Sequence, residues 1–173
     1  MRSLFFLLPT FLMCACCSAM SKDETRMHSI IQKHSVFMKR ENKLMLAGSG
    51  GSFPDSIHGF TLDYVGYKKL DIEQARILFV RSTQGLLNMI NSDEMIRPKL
   101  SNFPFTEDNL DFGIAFEDAS KDNYVAQPYV AYVTLIKGDI IYAQFDREKD
   151  QFCNEYRESY SEALRIVREE GGQ

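Results

Sequence analysis

The sequence predicts an α+β domain over residues 20–173: a four-stranded, mainly antiparallel sheet with helices packed on one face, in the order α-β-α-β-β-β-α. Three observations predict it. Apolar residues recur at three- and four-residue steps just after residue 21 and again near the C-terminus, the spacing of amphipathic helices. Between them, Leu110, Phe112, Ile114 and Phe116 alternate with Asp111, Gly113, Ala115 and Glu117, the period of a strand with one buried face. Gly138-Asp139 then separates two apolar runs, which is a two-residue hairpin signal.

Taken in order, Ser21 and Glu24 fit a capping box. Met27, Ile30, Ile31, His34, Phe37, Met38, Leu44 and Met45 then form a stripe over a helix of roughly 22–46, broken only by Glu41. Gly48 is the expected stop, and Gly48–Ser52 reads as a helix end followed by a flexible turn. A phosphate loop there is not supported, because no Lys-Ser or Lys-Thr follows and G-x-G-x-x-G is absent. Phe60, Leu62 and Tyr64 place a strand over about 57–67. Asp71 caps a second helix with Gln74 at the matching position. Ile72, Ala75, Phe79, Leu86 and Ile90 form its inner line, while Arg76, Arg81, Gln84 and Asn88 fall on the wet side. Gly85 costs such a helix about 1 kcal/mol relative to alanine, which suggests close packing over it.

Pro98 forbids a long continuation of the helix. Phe103-Pro104-Phe105-Thr106 is a loop whose aromatic pair is expected to plug the domain edge. Strand 110–117 follows, then an exposed turn at 118–123, then Tyr129–Ile136, apolar on both faces as a central strand is. Glycine first at Gly138-Asp139 suits a type II′ turn, and Ile140–Phe145 returns. Phe152, Tyr156, Tyr160, Ala163 and Val167 predict a final helix of about 152–169, with Cys153 on the border of its buried face. Consecutive strands with short links form an antiparallel meander, and the first strand joins its edge.

Composition limits the function. Charged residues are 25% and hydrophobic ones 45%, the balance of a globular chain with a core. The formal charge is -4 and no basic stripe occurs, so nucleic acid is not an expected partner. Three of the four cysteines lie within the first 17 residues, which leaves no disulfide framework; a single Cys17–Cys153 bridge stays open.

Residues 1–19 read as a leader. Arg2 is a positive start, Leu4–Met13 an apolar core, and small residues with cysteines precede Lys22-Asp23-Glu24. The apolar run falls short of the roughly 17 residues that a membrane span needs, and Pro9 interrupts it. The segment resembles a bacterial lipoprotein signal peptide in the register Met13-Cys14-Ala15-Cys16, with Met13 where leucine is usual. That resemblance implies a lipid on Cys16, with Cys17 as the alternative, and hence a membrane-anchored envelope protein. Cleavage after Cys17-Ser18-Ala19 would instead release a soluble exported chain, and a start at Met20 would remove the leader altogether.

Catalytic signatures are sparse. His28 and His34 are six residues apart and point about 120° from each other on a helix, so they make no metal pair. His58 is isolated, and no H-E-x-x-H, G-x-S-x-G or EF-hand loop occurs. Neither cofactor nor metal is expected. Cys153 could act as a nucleophile only if folding brought a histidine to it, which is the alternative reading, a hydrolase-like enzyme. Asp55, Asp63, Asp71 and Glu73 have structural roles as turns, strand face and cap. Tyr124, Tyr129, Tyr132 and Tyr142 suit sheet packing, with a ligand site as the second option.

Leu46–Gly51, Asp71–Arg76, Ile96-Arg97-Pro98, Pro104-Phe105-Thr106, the Gly138 hairpin and Tyr160–Ala163 together resemble an uncharacterised family of predicted lipoproteins from chlamydia-related bacteria. The likeness covers most of the chain after about Ser29. It implies an exported bacterial protein and carries no catalytic residue. The expected function is a non-enzymatic, membrane-tethered binding domain.

Overall fold

The alternation that marks residues 57–67 and 110–117 as strands is obeyed side chain by side chain, and it divides the molecule into two unlike faces. The structure, a computed structural model, describes residues 22–52, 55–121 and 123–171. The N-terminal leader, Ser21 of the proposed capping box, Cys16 and Cys17 lie outside the described residues.

The elements are α1 (Lys22–Phe37), β1 (Met45–Ser52), β2 (Gly59–Gly66), α2 (Ile72–Ser92), β3 (Leu110–Asp118), β4 (Asn123–Tyr124), β5 (Tyr132–Ile136), β6 (Asp139–Asp146), β7 (Gln151–Ser159) and α3 (Tyr160–Glu170). They form one open mixed sheet in the order β1-β2-β3-β5-β6-β7, with the short β4 on the end of β3. β2 and β3 are parallel and α2 crosses between them; every other pairing is antiparallel.

The α+β class and the helices on one face are as expected, but the sheet has seven strands rather than four. Three strands lie beyond the expected four: β4 is a two-residue pairing on the end of β3, and β1 and β7 each have a physical reason. β1 lies where a helix end and a loose turn were expected. α1 stops at Phe37, a single π-helical turn covers Met38–Asn42, and Lys43 adopts φ 57°, a left-handed conformation that turns the chain into β1. The glycines of β1 have little strand preference of their own. Pairing with β2 from Met45↔Val65 to Ser52↔Gly59 supplies what they lack. At the same corner Leu44 is fully buried over Gly66, where a Cβ would overlap its side chain.

β7 occupies the first half of the expected C-terminal helix. Spacings of four at Phe152, Tyr156 and Tyr160 suit a helix and also a regular strand, although in β7 a bulge puts Phe152 beside Phe145 and Tyr156 beside Tyr142, on opposite faces. What decides is the preceding turn. The Asp146 carboxylate accepts from the amides of Glu148 (3.0 Å) and Lys149 (3.2 Å), and Asp150 takes φ 50°, closing a hairpin back onto β6. Only then does Ser159 cap α3, accepting from Glu162 N at 3.2 Å. The β5–β6 hairpin also shifts by one residue. Its turn is Lys137-Gly138, with φ 50° and 79°, so both central residues are positive as a type I′ turn demands, in place of the expected type II′.

The second helix follows its prediction. Gln74 N donates to Asp71 Oδ1 at 2.8 Å while the Gln74 side chain accepts from Asp71 N at 3.3 Å. Ala75, Phe79, Leu86 and Ile90 are buried. At Gly85 a Cβ would meet nothing nearer than the Phe37 ring at 4.0 Å, an ordinary contact, so the expected tight packing is absent. The loop aromatics divide: Phe105 is buried edge-on against Phe60, whereas Phe103 is exposed beneath Arg97.

The core lies between helices and sheet. Phe112 meets Phe79 of α2 at 5.2 Å between ring centroids and His34 of α1 at 6.0 Å. His34 is wholly enclosed. Its Nε2–H donates to the Ser82 carbonyl (3.1 Å), which leaves Nδ1 to accept from Tyr64 OH (2.8 Å). Burial pushes its pKa down to about 4, against the smaller opposing effect of the Ser82 bond, so the ring is neutral.

Arg76 is a second correction, since it is buried rather than wet. Its Nε donates to Glu158 Oε1 at 2.7 Å, and Tyr142 OH donates to the same oxygen at 2.8 Å, tying α2 to β7 and β6. Arg76→Met alone strands a buried carboxylate and is expected to cost about 3–5 kcal/mol. Arg76→Met with Glu158→Leu removes both charges and should recover most of that loss. Urea unfolding of the two single variants and the double one checks it; additive losses would contradict the paired account.

Candidate functional site

Because neighbouring side chains on a strand point to opposite faces, Leu62, Tyr64, Phe112, Ile114, Val133 and Leu135 lie under the helices. Asp63, Val65, Asp111, Gly113, Ala115, Tyr132 and Thr134 lie on the other side. That second face carries a shallow open depression of about 400 Å³, bounded by Asp63, Val65, Ala115, Glu117, Tyr124, Tyr132 and Phe152.

Gly113 lies buried beside the depression, beneath Asp63 and Tyr132. A Cβ there would stand 2.5 Å from Asp63 Oδ1 and 2.7 Å from Tyr132 OH. The missing side chain lets a carboxylate from β2 and a phenol from β5 lean in from either side and meet above β3. Asp111, two residues earlier on the same face of β3, adds a second negative charge. No described lysine, arginine or histidine forms an ion pair with Asp63, Asp111 or Glu117. Arg147 is committed elsewhere, donating to Asp118 Oδ2 (2.8 Å) and the Tyr124 carbonyl (3.0 Å), which fixes β4 in place.

The electrostatic consequence is direct. Partial burial, reinforced by the charge of Asp111, raises the Asp63 carboxyl above its ordinary value. Burial also raises the Tyr132 phenol; the Thr134 hydroxyl offsets part of this, and Asp63 and Asp111 add to it. Both groups are therefore held in an environment that disfavours further negative charge.

The remaining wall is aromatic. Tyr124 and Phe152 are 4.9 Å apart at their centroids, and Tyr132 lies 6.2 Å from Phe152. Phe145 closes the cluster from beneath, 5.2 Å from Tyr124 and 5.5 Å from Phe152. Phe152 is still 42% exposed, so the aromatic surface is open to solvent.

The other hollows are less suited to a ligand. The groove between α1 and β1, lined by Met27, His28, Ile31 and the Ser49-Gly50-Gly51 backbone, holds about 180 Å³, below the usual range for a small-molecule site. The hollow beside α2 is crossed by the Arg26–Asp93 pair at 2.7 Å. The one at the start of β2 contains Asn109, whose side chain already bonds His58 O, Asn102 and Thr106 N.

Of the residues singled out from sequence, Tyr124 and Tyr132 line the depression. Tyr142 faces the helices in the Arg76–Glu158 network, and Tyr129 sits in the loop before β5. Asp63 occupies a strand face, as expected, but without a partner charge. Cys153 is half-buried on β7 opposite Gln144. His58 precedes β2, four strand spacings away or about 19 Å, and bonds Asp55 and Ser56. His34 is enclosed on the helix side, and His28 lies at the far edge against β1. The fold does not bring Cys153 to a histidine. Among the described residues no group of three acidic, histidine or cysteine side chains could hold a metal ion. No protein-family model, curated protein or solved structure matches the chain.

An unpaired carboxylate with a raised pKa destabilises the folded state wherever it is ionised. Above the folded pKa of Asp63 the penalty is complete. It fades as the pH falls through that value and is gone below the ordinary 3.8, where native and unfolded forms are both protonated. Asp63→Asn is therefore expected to raise the urea midpoint at pH 7, with the advantage closing toward pH 4. A variant less stable than the parent at pH 7 would contradict the uncompensated-charge description.

Proposed function

We propose that the protein is an exported, lipid-anchored component of the bacterial cell envelope, and that its domain is a non-enzymatic binding module using the helix-free face of the sheet. The observation that carries the binding half is the convergence of Asp63 and Tyr132 over Gly113, beside an open aromatic wall and without an ion-pair partner for Asp63 among the described basic residues. A fold gains no stability from such an arrangement, which is how binding surfaces differ from packing surfaces.

The leader supports the envelope half: a positive start, an apolar core and a cysteine in lipoprotein register. No helix among the described residues is long and apolar enough to cross a membrane. Five residues separate Cys16 from Lys22, where α1 begins. A chain of that length reaches at most about 18 Å when extended. A lipid on Cys16 would therefore hold the domain close to the bilayer surface.

Two measurements test the two halves separately. Metabolic labelling with an alkyne fatty acid should mark the parent protein and fail on Cys16→Ser. An unlabelled parent would remove the anchor, and label lost only in Cys17→Ser would move it by one residue. A small-molecule fragment screen read by amide chemical shifts should perturb Gly113, Ala115 and Thr134. Hits clustering at Ser49–Gly51 and His28 instead would transfer the binding function to the α1–β1 groove.

A further inference from the structure

We infer that the ligand of this face is a small organic cation, an ammonium ion carried on alkyl groups, seated between the Asp63 and Glu117 carboxylates and the rings of Tyr124, Tyr132 and Phe152. The inference rests on the reading of the helix-free face as a binding surface, and it names the chemistry of what binds there.

Charge supplies the first step. Asp63 and Glu117 line the depression and Asp111 adds its charge beside Asp63, all without an ion-pair partner among the described basic residues, so an anion would meet like charges. A neutral apolar molecule would take water from those carboxylates and give nothing back, which costs free energy unless the charge is matched. Only a cation relieves both the repulsion and the lost hydration.

The kind of cation follows from the walls. Inorganic divalent ions need several oxygen ligands at short range. No described trio of suitable side chains is available here. Aromatic faces, by contrast, attract diffuse positive charge by their quadrupole, and recognition of alkylammonium ions relies on them together with a nearby carboxylate. Tyr124 and Phe152 meet at 57° and Tyr132 and Phe152 at 45°, so the three rings form a bent wall rather than a closed stack. Such a wall leaves ring faces for methyl or methylene groups bearing partial positive charge.

Size sets the scale. At about 400 Å³ the depression falls in the small-molecule range. The small side chains of Ala47 and Ala115 line it beside Asp63 and Glu117, which leaves room for an ammonium to come within reach of both carboxylates. The occupant is therefore a molecule with one or two ammonium centres.

Choline and its uncharged isostere 3,3-dimethyl-1-butanol, with tetramethylammonium and cadaverine as further cations, are titrated against the folded domain and followed by amide chemical shifts. Choline is expected to bind at least about tenfold more tightly than the isostere, with shifts at Gly113 and Thr134. Asp63→Asn should weaken choline by about tenfold, and Phe152→Ala should do so severalfold. Asp63→Asn should keep the parent's spectrum elsewhere, since Asp63 has no ion-pair partner among the described residues, whereas Phe152→Ala should also shift Tyr124, Tyr132 and Phe145, which its ring touches. Equal binding of choline and its isostere at this face overturns the cation while leaving the face as the site. Binding indifferent to Asp63→Asn, with shifts elsewhere, overturns the face itself. No binding of any of the three cations at about 10 mM overturns the small-molecule inference.

Discussion

The packing of Phe112 against the helices is the constraint from which the rest of the molecule follows. Its ring is fully buried and meets Phe79, Tyr64 and His34, so it joins α2, β2 and α1 at a single point. Fixing that side chain on one face of β3 fixes the parity of the whole strand. Gly113 must then lie on the opposite face, and the parallel register with β2 sets Asp63 beside it. A slip of one residue would exchange the two faces and bury both carboxylates under the helices. The helix-free face is thus an obligatory counterpart of the core, produced by the same alternation.

The two faces differ in how they treat charge. On the helix side Arg76 and Glu158 are nearly enclosed and neutralise one another, with Tyr142 sharing the acceptor. On the other side Asp63 and Asp111 repel, and nothing in the described chain answers them. A sequence selected only for stability would replace one of the two. Stability surrendered at a concentrated point, against a surface otherwise well matched, is the physical signature of a site held ready for something else.

Much of this was legible in the sequence where a single period dominated. The alternations of β2 and β3, the capping box at Asp71 and the placement of the Gly138 hairpin to within one residue all rest on local rules that tertiary structure respected. Legibility failed where two periods coincide. The spacing of Phe152, Tyr156 and Tyr160 suits a helix and a regular strand alike, and only the Asp146 turn, a pair of side-chain–backbone bonds, breaks the tie. β1 was hidden because its glycines carry no pattern, and its strand character comes from its neighbour. The site was half visible: Tyr124 and Tyr132 were noted as possible lining, and Asp63 was assigned to a strand face. What could not be read was that Gly113 lies between them, since that depends on registers spanning β2, β3 and β5. A glycine at an outward position of an otherwise regular strand, flanked by Asp111, was the available signal. The proposed envelope location rests wholly on residues 1–19, which lie outside the described residues.

The account reduces to one claim, that the Asp63 carboxylate is uncompensated in the free protein and is matched by a bound cation. The pKa of its side chain, followed through the carboxyl carbon resonance in labelled protein, measures this directly with and without saturating choline. The account predicts a value above that of an ordinary aspartate in the free protein and a fall when choline is bound. A value at or below the ordinary one in the free protein, or one that choline leaves unchanged, would contradict it.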